Sequence, residues 1–136
     1  MEEVSIQKLI QIDNILSGEE FSNLISVTNQ ENPNSPIFIL FTGTKTNGRS
    51  WCGDCTRSEP IILTTLEEYS PNAVLIVFSV PREPFRTETF EYRTNPLIQL
   101  KCVPTLHRFR DGVSVRSLDD NECQEALLVK TLVTES

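Results

Sequence analysis

Two short runs of uninterrupted apolar residues restrict this chain more than any other feature. Ile37-Phe38-Ile39-Leu40-Phe41 and AVLIVFSV (73–80) show no alternation of polar and apolar side chains. A strand with one wet face alternates with a period of two, so an unbroken run bounded by turn residues belongs to a strand covered on both faces. The first run follows ENPNSP (31–36), a turn-forming linker. The covering helices can be sought in the intervening segments. Ser17 and Glu20 have the spacing of a capping box, and Phe21, Leu24 and Ile25 fall on one face, which predicts a helix over 18–29. Residues 53–69 repeat the pattern with Ile61, Ile62 and Leu66 inward, and Pro60 within it predicts a kink or interruption.

Part of 4–12 reads as an edge strand. The stretch 81–101, with Pro81, Pro84 and Pro96, predicts irregular backbone with one short helix. Strands at 106–109 and 113–118 flank Asp111-Gly112, a strong two-residue hairpin signal. Asp119 or Asn121 then opens a final helix containing Ala126, Leu127 and Leu132. The order β-α-β-α-β-α-β-β-α implies an α/β fold, a mixed sheet with helices on both faces.

The 136 residues are the length of one domain, spanning 1–136, and can bury a core without disulfide staples. A net charge of −7, with no basic run, argues against nucleic acid as a partner. No apolar stretch approaches the roughly 20 residues that span a bilayer, so no membrane association is expected. MEEVSIQKLI is acidic where a secretory signal is basic, which points to the cytosol. In that reducing compartment the four cysteines are expected to be thiols, metal ligands or catalysts rather than structural bridges.

FTGTKTNGRSWCGDC (41–55) admits three chemistries. From Gly43 it reads G-x-x-x-x-G-R-S, one substitution from a phosphate-binding loop. Arg49, however, replaces the required lysine, and no acidic strand end follows, so 43–50 is read as a long surface loop. Zinc is a second alternative: Cys52 and Cys55 have ligand spacing, and Cys102 with His107 would complete a Cys₃His set. If 106–109 is a strand, that convergence is unfavourable. The third reading is redox. Cys52 at a helix N-terminus gains from the macrodipole and free N–H groups, which favour a thiolate. Attack on a disulfide gives a mixed disulfide, and Cys55, one turn along, is placed to displace the product. Trp51 shields the pair. Lys45 and Arg49 are candidate attractors of an anionic substrate, and Asp54 is a candidate proton donor.

Trp51-Cys52-x-x-Cys55, Pro60 five residues on, Val103-Pro104-Thr105 and the Asp111-Gly112 hairpin together resemble the thioredoxin superfamily. The resemblance implies a thioredoxin-like three-layer α/β/α fold with a mixed central sheet. It implies Cys52 as nucleophile, Cys55 as resolving thiol, and Val103 with a cis-Pro104 as the platform for an extended substrate. Within the superfamily, Glu2-Glu3-Val4-Ser5, the Thr42–Ser50 connection, Asp54 inside the motif, Glu59-Pro60 and Glu122-Cys123-Gln124 are similar to the branch of thioredoxin-domain-containing protein seventeen. That branch implies a cytosolic enzyme without bound cofactor or metal, reduced by thioredoxin reductase and so drawing on NADPH indirectly. It also implies a preference for small disulfides such as cystine, with selected proteins as further substrates, and a monomer is expected. The branch usually has proline where Gly53 stands, and thioredoxins have a buried aspartate that 37–41 lacks. These departures leave room for a different class of function, a redox-sensing adaptor with weak reductase activity. Cys102 and Cys123 read as buried, inert thiols.

Overall fold

The computed structural model describes residues 5–135; the Glu2-Glu3-Val4 part of the N-terminal match lies outside them. Five strands form the main sheet: β1 (Lys8–Ile12), β2 (Ile37–Gly43), β5 (Val74–Val80), β6 (Thr105–Arg110) and β7 (Val113–Asp119), in the order β1-β5-β2-β6-β7. β5 runs parallel to both β1 and β2, whereas β6 pairs antiparallel with β2 and with β7, so the sheet is mixed. Every residue of β2 and β5 is buried, the arrangement the two apolar runs demand.

The pleat sends alternate side chains of β2 to opposite layers. Ile37, Ile39 and Phe41 pack with Phe21 and Ile25 of α1 (Gly18–Glu31) and with Tyr92. Phe38 and Leu40 pack with Ile62 and Leu66 of α2 (Gly53–Tyr69) and with Val129 and Leu132 of α5 (Ala126–Thr134). The capping box forms: Glu20 N–H donates to Ser17 Oγ at 3.1 Å, and Ser17 N–H donates to Glu20 Oε1 at 2.9 Å.

Four expectations need correction. α2 runs through Pro60 without a break. Proline removes one amide from the ladder, and the buried contacts of Ile62 and Leu66 beyond it keep the helix in place. The 81–101 stretch contains two single-turn helices rather than one, α3 (Arg82–Phe85) and α4 (Glu91–Thr94). The last helix begins only at Ala126. Asp119 instead caps a 3₁₀ turn, Asp120–Gln124, whose Glu122 accepts from Asp119 N–H at 3.1 Å. Finally, 43–50 is not a plain loop. Lys45–Thr46 (β3) and Arg49–Ser50 (β4) pair as a small hairpin through Asn47 and Gly48, at φ 53° and 78°. Two central residues in the left-handed region make a type I′ turn, the geometry that Asn-Gly favours.

Candidate active site

The dithiol sits where β2 hands over to α2. Gly43 closes the strand, and a methyl there would stand 2.7 Å from Ser50 Oγ and 2.9 Å from Cys52 Cβ. Only glycine lets the strand end lie against the segment returning from the hairpin. Ser50 Oγ fastens that return, donating to Gly43 O at 3.0 Å and accepting from Cys52 N–H at 3.1 Å. Trp51 anchors it on the other side: Nε1 donates to Val80 O at 2.8 Å, and the ring packs against Phe85.

Cys52 is the N-cap of α2 and Cys55 lies in its first turn; the two are joined as a disulfide with Cα atoms 5.3 Å apart. Cys55 N–H donates to Cys52 Sγ at 3.2 Å, and Gly43 N–H donates to Cys55 Sγ at 3.3 Å. The Cys55 amide aimed at Cys52 Sγ, at the positive end of a 17-residue helix, favours the anionic form of the outer sulfur once the bridge is reduced. Accessibility separates the two: Cys52 retains 8% of its surface and Cys55 none. An incoming substrate can meet Cys52 alone.

The Val103–Pro104 bond is cis, and the Val103 carbonyl oxygen lies 3.6 Å from Cys52 Sγ. That loop is braced from behind. Asp120 N–H donates to Pro104 O at 2.8 Å, and the buried Cys123 thiol donates to Leu118 O at 3.4 Å and to Pro104 O at 3.8 Å. Burial pushes the Cys123 thiol up to about 12 and the half-buried Cys102 thiol up to about 11.

Asp54 ion-pairs with Arg57 and accepts from Gln124 Nε2 at 3.2 Å, while Arg57 Nε donates to Gln124 Oε1 at 3.1 Å. The Arg57 guanidinium holds the Asp54 carboxyl below its ordinary value. So engaged, the Asp54 side chain ties α2 to the 3₁₀ turn. A side-chain carbon at Gly53 would meet the same guanidinium at ordinary contact distance, 3.4 Å from Arg57 Nη1.

The remaining sequence candidates are dispersed. His107 is 5% exposed, between Phe41 and Phe109, with Nδ1 2.8 Å from Ser114 Oγ and no partner for Nε2. Burial drives its imidazole down to about 4. Among the described residues no group of three or more His, Cys, Asp or Glu side chains converges on a metal position. The Cys₃His alternative is therefore not assembled. Nor do Lys45 and Arg49 share a site. Thr46 pairs with Arg49 across the hairpin, so the pleat puts Lys45 on the opposite face from Arg49. Lys45 Nζ meets Glu59 Oε1 at 3.0 Å beside a polar cavity of about 270 Å³, where Thr42 Oγ1 also donates to Glu59 Oε2 at 3.2 Å. Arg49 lines a different cleft with Trp51 and Arg82. Recognising Asn47-Gly48 as a two-residue turn would have separated the two cations from sequence. No local pattern points to Arg82, Arg57 or Gln124.

A reducible cysteine pair opening a helix, one sulfur accessible and one enclosed, on a mixed sheet of this order defines a thioredoxin-fold thiol–disulfide oxidoreductase. Solved structures agree on the fold. Spinach chloroplast thioredoxin f superposes with a TM-score of 0.57 at 14% identity, covering 98% of both chains. A Schistosoma mansoni thioredoxin gives 0.55 at 18% identity, covering 90% of this chain and 98% of its own. The sequence matches are closer. The thioredoxin-like protein Clot of Arabidopsis thaliana is 38% identical over 120 residues, 85% of this chain and 89% of its own length. Human thioredoxin domain-containing protein 17 is 31% identical over 119 residues, 86% of this chain and 89% of its own. Residues 14–135 match the thioredoxin domain of the thioredoxin domain-containing protein 17-like family, and the chain belongs to that family. Its working group is the redox-active disulfide.

Proposed function

We propose that the protein reduces disulfides in the cytosol, with Cys52 as nucleophile and Cys55 as resolving thiol. Its substrates are small disulfides such as cystine, together with selected protein disulfides, and thioredoxin reductase restores the dithiol at the expense of NADPH. The carrying observation is the contrast between the two sulfurs: Cys52 is partly open beside the Val103 carbonyl, whereas Cys55 is sealed beneath it. The Cys52 thiolate attacks one substrate sulfur. The S–S electrons leave on the other, which takes a proton from water. Cys55, on losing its proton, then attacks Cys52 Sγ, the second substrate thiolate departs, and the protein is left as the disulfide.

In this reading Val103 and Pro104 form the platform on which the substrate backbone or side arm rests. The unpaired Cys102 and Cys123 support a reducing compartment. A protein of the same fold, thioredoxin f2, has been solved in complex with ferredoxin:thioredoxin reductase; it superposes at TM-score 0.55 with 13% identity. The test is an NADPH-coupled assay with thioredoxin reductase, offering cystine and insulin in turn. Consumption of NADPH that needs both the protein and a disulfide, and disappears in Cys52→Ser, is expected. Full consumption by the Cys52→Ser protein would refute the reading.

A further inference from the structure

A cleft of about 480 Å³ opens between the β3–β4 hairpin and the start of α3, and its lining includes Ser50 and Trp51, the two residues that precede the reacting Cys52. Arg49 and Arg82 line the same cleft. The chain carries a net charge of −7, yet this cleft next to Trp51 is lined by two arginines. Among the described residues neither Arg49 nor Arg82 forms an ion pair. The nearby charges are otherwise engaged: Lys45 is held by Glu59 on the opposite face of the hairpin, and Glu83, which also lines the cleft, pairs with Arg86 at 3.7 Å. Arginine presents a planar fork of donors that suits a carboxylate.

The approach to sulfur is narrow. Cys52 is 8% exposed with the Val103 carbonyl beside its sulfur, and Trp51, its neighbour in the chain, is shared with the cleft. We propose that Arg49 and Arg82 form an anion subsite that receives the carboxylate of a small disulfide seated on Cys52. This rests on the oxidoreductase reading above and adds a charge selectivity to it. The reaction itself is unchanged: the dithiol is oxidised to the disulfide, and the substrate leaves as two thiols. The subsite acts in the first step, raising the rate of mixed-disulfide formation.

The test uses the full chain, reduced beforehand, in single-turnover mixing with three disulfides of matched arms. These are 3,3′-dithiodipropionate (anionic), bis(2-hydroxyethyl) disulfide (neutral) and cystamine (cationic). Protein oxidation is followed by acid quench and alkylation. Relative to wild type, Arg49→Gln/Arg82→Gln is expected to slow dithiodipropionate about tenfold, the scale of one or two partly exposed charge-assisted contacts. The neutral probe should change less than twofold and cystamine should speed up. Arg49→Lys/Arg82→Lys should recover most of the anionic rate, and added salt should erode it in wild type and in the lysine variant but not in the glutamine variant. Equal slowing of all three probes, or no change with dithiodipropionate, overturns the subsite while leaving the oxidoreductase standing. If the wild-type dithiol is oxidised by none of them, the oxidoreductase reading falls, and the subsite with it.

Discussion

Cys52 and Cys123 are both almost enclosed by protein, and their surroundings ask opposite things of sulfur. Cys52 and Cys55 accept hydrogen bonds from backbone N–H groups at a helix start. Cys123 donates toward the Leu118 and Pro104 carbonyl oxygens, and burial holds its proton in place up to about 12. An amide at a helix start favours a thiolate, whereas burial favours the neutral thiol. Cys52 differs in combining a helix-start amide with residual access to solvent, whereas burial dominates at Cys123. The second region still serves the first, because Cys123 and Asp120 together brace the loop whose Val103 carbonyl flanks Cys52.

The largest effect that would break this comparison concerns chemistry. Cys52→Ser should lower disulfide reduction by at least about a thousandfold, whereas Cys123→Ala should leave most of it, both read in the coupled assay. Next in size is a second buried titratable group, His107, where burial outweighs the opposing charge of Asp119. Its folded value is about 4 against an ordinary 6.5, so the folded state resists protonation. The resulting stability is complete above pH 6.5 and is lost as the pH falls from 6.5 toward 4, by up to about 3 kcal/mol. Urea midpoints measured across that range should fall in wild type and flatten in His107→Gln. Gly43→Ala sharpens the Cys52 side: the added methyl meets Ser50 and Cys52, and should cost about 1–3 kcal/mol of unfolding free energy. The smallest effect belongs to Cys102→Ser. It is half-buried, and the change should stay within about 0.5 kcal/mol in the same denaturation experiment.

Much of this could be read from the chain, and the divide follows the range of the interactions. Residues 37–41 and 74–80 revealed two doubly covered strands because burial on both faces removes alternation from the sequence itself. Trp51-Cys52-x-x-Cys55 lies within one helical turn, so its spacing already contains its geometry. Ser17 and Glu20 are equally local. Asn47-Gly48 was also local but was obscured by its polar flanks, Lys45-Thr46 and Arg49-Ser50, which lack the hydrophobic alternation that usually marks a hairpin. Pro60 was misjudged because packing beyond it outweighs one missing hydrogen bond. Arg82 beside Arg49, Gln124 beside Asp54 and Glu59 beside Thr42 come from separate elements. Their meeting depends on how a helix and a turn settle on the sheet, and no periodicity in the sequence records that.

The most direct measurement is the site of a trapped adduct. Reduced Cys55→Ser protein, mixed with a disulfide substrate and mapped by peptide mass spectrometry, should carry one substrate arm on Cys52, with Cys102 and Cys123 unmodified. An adduct on Cys102 or Cys123 at comparable yield, or none on Cys52, would contradict the division of labour between the two regions.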